Sequence, residues 1–302
     1  MTNPQGKHLG RRPEDKTRAK VQLAPFLQNY DPDGFALPVF PPQLTIPELG
    51  YPMDRNDQAG DCVVAAQDHA LKVIQTLLTG SYVQPSDTEL LRRYQTQNPG
   101  FRSWADGGGP NDNGMVIAEY LDWCIKEGLI LAYAQIDTSS QVEIEAAIYI
   151  GLAIVTGEDL RVAQQDGKTW DYVLGSPDWG GHCTVWHEYW PPKVITWGED
   201  DYSMTPAFIE RQVDEAYFVL TQAHVDHPSF RNNFDLAGFA AAVKDITNGK
   251  VIVPTDPPGP EDWADAALVA AGNRWERTVW SRFTRAGKFK AAFDAWKQAK
   301  GY

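Results

Sequence analysis

Apolar residues recur at helical spacing three times in the first half of the chain. In DCVVAAQDHALKVIQTLLTG, Val63, Ala66, Ala70, Val73 and Leu77 share one face, with Asp61 at the N-cap position and Gly80 at the stop. PSDTELLRRYQTQ (85–97) predicts a second helix, capped by Ser86 or Asp87. MVIAEYLDWCIKEGL (115–129) predicts a third, ending at Gly128. The glycine-rich loop ADGGGPNDNG (105–114) separates these two. After residue 139 the period changes. A short helix over about 139–150 leads into an apolar strand, Leu152–Thr156. GGHCTVWHEYW (180–190), KVITWGE (193–199) and DEAYFVL (214–220) read as further strands. Helices first and strands later give an α+β pattern rather than alternating βαβ units.

The flanks break this pattern. FALPVFPPQLTIPELGYP holds too many prolines for a helix or a central strand. Residues 1–45 are expected to form a basic, Pro-rich N-terminal arm that wraps the body, with Phe35, Val39 and Phe40 as anchors. The body is expected to span 46–222, followed by a connecting helical segment (223–252), a Pro-rich linker (253–262) and a basic helical tail (263–302).

Composition narrows the function classes. A chain of 302 residues, 43% hydrophobic, builds a core without staples, and three cysteines exclude a disulfide framework. The first residues have no apolar signal region, and no run approaches the roughly 18 apolar residues needed to span a bilayer. The expectation is a chain made in the cytoplasm, without membrane contact, with free thiols. A net charge of −13 counts against nucleic acid as a partner. That average hides an asymmetry. Residues 1–20 carry six basic and two acidic side chains, and residues 272–302 carry eight and two, which leaves a net −23 between them. The basic ends are either solvated tails or docks for an acidic surface, on this chain's own body or on a partner.

Two residues carry the candidate chemistry. Cys62 opens the first helix, where free backbone N–H groups and the helix dipole favour a thiolate and an oxyanion. Asp61 beside it opposes the thiolate. His182 opens a strand behind Gly180 and Gly181, with room for a partner side chain and the chemistry to take a thiol proton. By alternation Cys183 and His187 point away from His182, and Cys183 reads as core. His69 reads as a packing residue, while His8, His224 and His227 fall in irregular segments. No G-x-x-x-x-G-K-[ST], H-E-x-x-H or paired C-x-x-C occurs, and the loop D-G-G-G-P-N-D-N-G fails the EF-hand spacing, so neither cofactor nor metal is expected.

The order of these parts resembles the papain-like cysteine peptidases over about residues 46–221. IPELGYPMDRNDQAGDCVVAAQDHA resembles the family's nucleophile helix and its entry. GGGPNDNGMVIAEYLDWCIKEGL resembles the glycine loop and helix of the cleft. VEIEAAIYIGLAIVTG is similar to the helix leading into the first barrel strand, GGHCTVWHEYW to the histidine strand, and VITWGE to the strand ending in Trp-Gly. The separation of 120 residues between Cys62 and His182 is close to the roughly 130–150 expected. The wording NDQAGDC also resembles an uncharacterised phage and prophage group. The resemblance implies a papain-like fold, with an N-terminal helical subdomain carrying the nucleophile and a C-terminal antiparallel β subdomain. It implies Cys62 as nucleophile and His182 as general base and acid. It implies an oxyanion site of the Cys62 N–H with Asn56, which has the family spacing, or Gln58, which has the family residue type. Gly107, Gly108 and Gly109 would contact an extended peptide, and Trp197 would shield the site. The sequence departs from the family at Ile195, where an Asn should orient the imidazole. Thr196, the neighbouring hydroxyl, is the candidate orienter in its place, although expected on the other side of the strand.

Two functions follow from these readings. One is a hydrolase of peptide or isopeptide bonds acting on a peptide or protein substrate. The other is a catalytically weak or inactive scaffold that serves as an interaction protein, such as a phage virion component bound to other virion proteins. The Pro-rich stretch 21–50 is either an inhibitory segment near the cleft or a structural wrap.

Overall fold

The structure is a computed structural model describing residues 7–27, 49–106, 109–188, 192–227, 230 and 233–255. The expected anchors Phe35, Val39 and Phe40, the glycines Gly107 and Gly108, and the tail 263–302 lie outside the described residues.

Helices α1 (Cys62–Thr79), α2 (Asp87–Gln95) and α3 (Ile117–Lys126) come first. Gly80 ends α1 in the left-handed conformation at φ 78°, donating to the Thr76 carbonyl at 2.9 Å. The Ser86 hydroxyl caps α2 by accepting from the Glu89 N–H. Strand β1 (Ala132–Gln135) and helix α4 (Gln141–Gly151) lead into β2 (Ile154–Arg161), β3 (Thr169–Trp170), β4 (Asp178–Trp186), β5 (Lys193–Thr196) and β6 (Glu199–Met204). Helix α5 (Pro206–Gln212), strand β7 (Val213–Leu220) and helices α6 (Gln222–Asp226) and α7 (Leu236–Ile246) complete the order. The strands form one sheet in the order β1-β7-β2-β4-β5-β6-β3, antiparallel except for β3 beside β6.

Side-chain alternation divides the core between the two faces of this sheet. On one face Val155, Cys183, Val185, Ile195, Tyr217 and Val219 pack against α1, α2 and α3. On the other, Ile154, Leu160, Trp186, Phe218 and Leu220 pack with α4, α5 and the aromatic residues Trp170, Trp179 and Trp197. The α+β architecture is that of the papain-like fold, with helices on the N-terminal side and an antiparallel sheet after them.

The N-terminal arm docks on the body. Gln135 donates to the Val21 carbonyl at 2.8 Å and Leu23 donates to the Gln135 carbonyl at 2.9 Å, so the arm covers the outer edge of β1. Leu23 and Leu27 are buried in the second core. Arg18 pairs with Asp122, and Lys20 pairs with Glu14. Among the described residues, then, the basic N-terminal end meets the protein's own acidic surface.

The segment after residue 222, expected to be a connector, is part of the body, and the compact unit reaches Thr255. Phe230, Phe234, Phe239, Val243 and Val253 are buried in the same core as Phe218. The Phe230 ring stacks on Phe218 with centroids 6.2 Å apart. His224, silent in the sequence, is fully buried. Its Nδ1 lies 3.0 Å from the Thr221 hydroxyl and its Nε2 lies 3.2 Å from the Gly151 carbonyl. The aromatic cluster has no short-range sequence signature because its partners lie on different elements. Phe239→Ala, at a fully buried position, is expected to cost about 3–5 kcal/mol. Urea unfolding measures it, and a loss below about 1 kcal/mol would place Phe239 outside the cooperative body.

Candidate active site

Cys62 is the first residue of α1 and is 1% exposed. The loop before it is held from below. Gly60 donates its N–H to both carboxylate oxygens of Asp112, at 3.0 and 3.1 Å, and Tyr94 donates its hydroxyl to the same group. Asp112 lies in the glycine-rich loop, so that loop shapes the nucleophile turn. Asp61 has the N-cap position but caps nothing with its side chain. Its carboxyl is fully buried, and burial beside Asp54 pushes it well above the usual carboxylate range. Asp61 is, as expected, among the influences that raise the Cys62 thiol, after burial.

His182 lies on β4 and is fully buried. Its ring stacks on Trp197, centroids 4.3 Å apart and planes inclined by 17°. Its Nε2 lies 2.7 Å from the Thr196 hydroxyl. Thr196 therefore faces His182: β5 alternates with Val194 and Thr196 on the His182 face and Ile195 on the opposite one, so it is residue 195, expected beside the imidazole, that lies on the other side. The register of β5 against β6 shifts between Val194 and Thr196, and the next residue, Trp197, turns at φ 49°. Ile195 points the other way, into the core against α1. With Nε2 engaged, Nδ1 is the remaining ring nitrogen, buried and without a hydrogen-bond partner. No hydrogen bond joins Nδ1 to the Cys62 thiol: the thiol lies in the core with Cys183, whose backbone N–H is directed at it, while the imidazole stacks on Trp197 in the other core.

The cleft between these elements is filled by the chain's own N-terminal arm. His8 donates its N–H to the Asn56 carbonyl at 3.2 Å, and the Trp197 indole donates to the His8 carbonyl at 3.3 Å. Gly10 packs on Gly60 so closely that a Cβ there would run into the Gly60 carbonyl. Its N–H, like that of Cys183, favours the Cys62 thiolate. Met115 donates to the Gly10 carbonyl at 2.7 Å, and Arg12 donates to the Met115 carbonyl at 2.7 Å, a parallel bridge. Arg11 donates its N–H to the Gly181 carbonyl at 3.0 Å. The arm thus bonds to both walls as an added strand. Of the stretch 21–50, read as either an inhibitory segment or a structural wrap, the described residues 21–27 pack on the sheet edge, and the segment in the cleft is 8–12.

Enclosure sets the protonation of the two groups. Burial pushes the Cys62 thiol up to about 12. Burial, with the positive charges of Arg11 and Lys7 second, lowers His182 to about 3. In this closed state the pair is a neutral thiol and a neutral imidazole.

The other expected site residues are distributed as follows. Asn56 is buried, donating its side-chain amide to the Ala59 carbonyl at 3.1 Å and reaching Asp61. Gln58 is half-buried, and its N–H donates to the Arg55 carbonyl. Gly109 accepts from the Asp112 N–H, and the arm is bonded by Met115 rather than by Gly109. His8 and Arg11 were missed as site residues. Their only sequence signal was a basic end on a chain with an acidic body.

No family model matches the chain, and no curated protein matches it. Among solved structures it is similar to xylellain, a cysteine protease from Xylella fastidiosa, at TM-score 0.52 and 16% identity, covering 72% of this chain and 97% of that one. It is also similar to the proform of the ragweed pollen cysteine protease Amb a 11, at TM-score 0.40 and 15% identity, covering 54% of this chain and 59% of that one. The likeness to xylellain establishes a papain-like cysteine protease fold.

Thr196→Val is expected to leave the buried Nε2 of His182 unpaired, at a cost of about 1–3 kcal/mol, with Thr196→Ser close to wild type. Denaturant unfolding of both variants checks the bond. Equal stability of the Val and Ser variants would show that it contributes nothing.

Proposed function

We propose that this protein is a cysteine hydrolase of peptide or isopeptide bonds, with Cys62 as nucleophile and His182 as general base and acid, and that residues 8–12 hold it closed. The observation that carries the reading is the chain's own extended segment hydrogen-bonded to both cleft walls across the Cys62 turn. A groove that accepts a peptide backbone in this way suits a peptide substrate. The papain-like fold supports the same chemistry.

In the open enzyme, Nδ1 of His182 takes the proton of the Cys62 thiol. The thiolate attacks the substrate carbonyl carbon. The oxyanion is held by the Cys62 N–H at the start of α1 and by the Asn56 side-chain amide, once it leaves the Ala59 carbonyl, with the half-buried Gln58 as the alternative donor. The amine leaves with the proton from His182, and the thioester on Cys62 remains. His182 then takes a proton from water, the hydroxide adds to the thioester carbonyl, and the acid leaves as Cys62 recovers its proton. Thr196 orients the imidazole through Nε2, in the place of the absent amide at Ile195. Trp197 stacks on the ring and excludes water.

The second reading, an inactive scaffold of phage or prophage type, rests on Ile195 and on the wording NDQAGDC. It is separable by reactivity. In the full-length Arg11→Ala protein, iodoacetamide labelling of Cys62, read by peptide mass spectrometry, is expected to rise at least about 10-fold over wild type. Adding His182→Asn should cut the labelling rate at neutral pH by about 10²-fold or more. A folded Arg11→Ala protein whose Cys62 reacts no faster than Cys124 would support the scaffold.

A further inference from the structure

Beside the Cys62 turn the cleft contains a pocket with a defined charge. Its floor follows from strand register. Gly157 of β2 pairs with Cys183 of β4 on one side and with Glu215 of β7 on the other, and Asp159 pairs with Gly181. These positions share the sheet face that meets α1, where Cys183 packs beside Cys62. Gly157 and Gly181 leave the floor without side chains. A Cβ on Gly157 would crowd Arg11 and Glu215, and one on Gly181 would run into the Arg11 carbonyl. The open space is walled by Asp159, Asp214 and Glu215.

Arg11 fills it. Its guanidinium contacts Glu215 at 2.7 Å and Asp214 at 3.0 Å through one terminal nitrogen, and Asp159 at 2.5 Å through the other. Its side chain is 1% exposed. The backbone around Arg11 is held by bonds that any peptide can make: to the Gly181 carbonyl, next to His182, and to both polar groups of Met115. The main chain is therefore recognised generically, and the side chain after Gly10, the residue on the Cys62 turn, is recognised by charge.

We propose that this pocket is the specificity site of the cleft, that it selects peptides carrying a cationic side chain next to the residue that meets Cys62, with arginine preferred over lysine, and that Arg11 occupies it as the chain's own stand-in. Carboxylates on opposite sides of one planar group suit the fork of a guanidinium better than the point charge of an ammonium. The substrate class rests on the hydrolase reading, while cation binding in the pocket does not. A pocket that served only to anchor the arm would bind no free arginine and would leave substrate choice unaffected.

The test uses the full-length Arg11→Ala protein and two readouts. The first is thermal unfolding with Nα-acetyl-arginine methylamide, the lysine analogue and the leucine analogue at millimolar concentration. The arginine analogue is expected to raise Tm by several degrees, the lysine analogue less and the leucine analogue not at all, with wild type unmoved because its pocket is full. The second is the rate of Cys62 labelling by dipeptidyl vinyl sulfones that differ only in Arg or Leu at the side chain next to the one adjoining the warhead, which enters the Arg11 pocket when the peptide runs opposite to the arm, whose bridge to Met115 is parallel. The Arg probe is expected to react at least 10-fold faster, and Glu215→Gln in the same background should remove the preference. Stabilisation by arginine without labelling by either probe would keep the pocket and overturn the hydrolase reading. Equal labelling by both probes with no stabilisation would overturn the pocket and keep the hydrolase. If Arg11→Ala does not fold, Arg11→Gln keeps the stem without the charge and is read in the same way.

Discussion

One buried cation sets the state of this molecule. Removing a guanidinium from water costs several kcal/mol unless carboxylates and hydrogen bonds replace the solvent. Arg11 meets that condition with Glu215, which is buried, Asp214, which is partly exposed, and Asp159, which is mostly exposed. The dependence runs both ways. Burial raises Asp214 and Glu215 above their ordinary values, and the charge of Arg11 is the main influence pulling them back. Without the cation this corner of the sheet would hold uncompensated acid groups. Without the acids the arm would have no reason to bury an arginine.

The chemistry of the site is subordinate to that contact. The Arg11 position fixes Gly10 on the Cys62 turn and His8 under the Trp197 indole. With the cleft filled, burial moves the thiol up and the imidazole down, each away from the ion pair that a nucleophilic cysteine needs. Both shifts are led by desolvation, so the dormancy is a property of the enclosure. Water returning to the cleft would relax both. The Cys62 thiol would keep the Cys183 N–H and the start of α1, the features that favour a thiolate.

Much of this fold was legible in the sequence because its long helices are locally determined. The apolar spacing from Val63 to Leu77 gives α1, and Ser86 gives the start of α2. Strands β3 and β6 escaped notice because one is two residues long and the other, EDDYSM, is mostly polar. Helix α5 opens with Pro206 in a stretch too short for periodicity to register. Thr196 was assigned to the wrong side because the resemblance set residue 195 beside the imidazole, whereas the β4–β5 register puts Val194 and Thr196 on the His182 face. Cys62 and His182 stood out by residue type and local setting. Arg11 did not, since its meaning depends on Asp159, Asp214 and Glu215, about 150 to 200 positions away. The trace it left was the contrast between a basic end and an acidic body.

That contrast is a poor guide to energy, because the cations of the arm are not equivalent. Lys7 lies over Trp197 and Tyr202 at the rim, partly buried. Arg18 and Asp122 are both substantially solvated, and such pairs contribute roughly 0–1 kcal/mol. The Lys20–Glu14 pair, itself buried, joins two residues of the arm and meets the body at Tyr217, whose hydroxyl donates to Glu14 and whose ring faces the Lys20 ammonium. Among the described cations of the arm, Arg11 is the one paired with three carboxylates of the sheet. An arm held evenly by many weak contacts would peel gradually. Segment 8–12, held by one buried guanidinium and by backbone bonds that a competing peptide can replace one for one, is either seated or displaced, while residues 21–27 stay anchored on β1. The two glycines on the pocket floor favour the same outcome, since they fit an arginine stem closely without adding contacts that would outlast its departure.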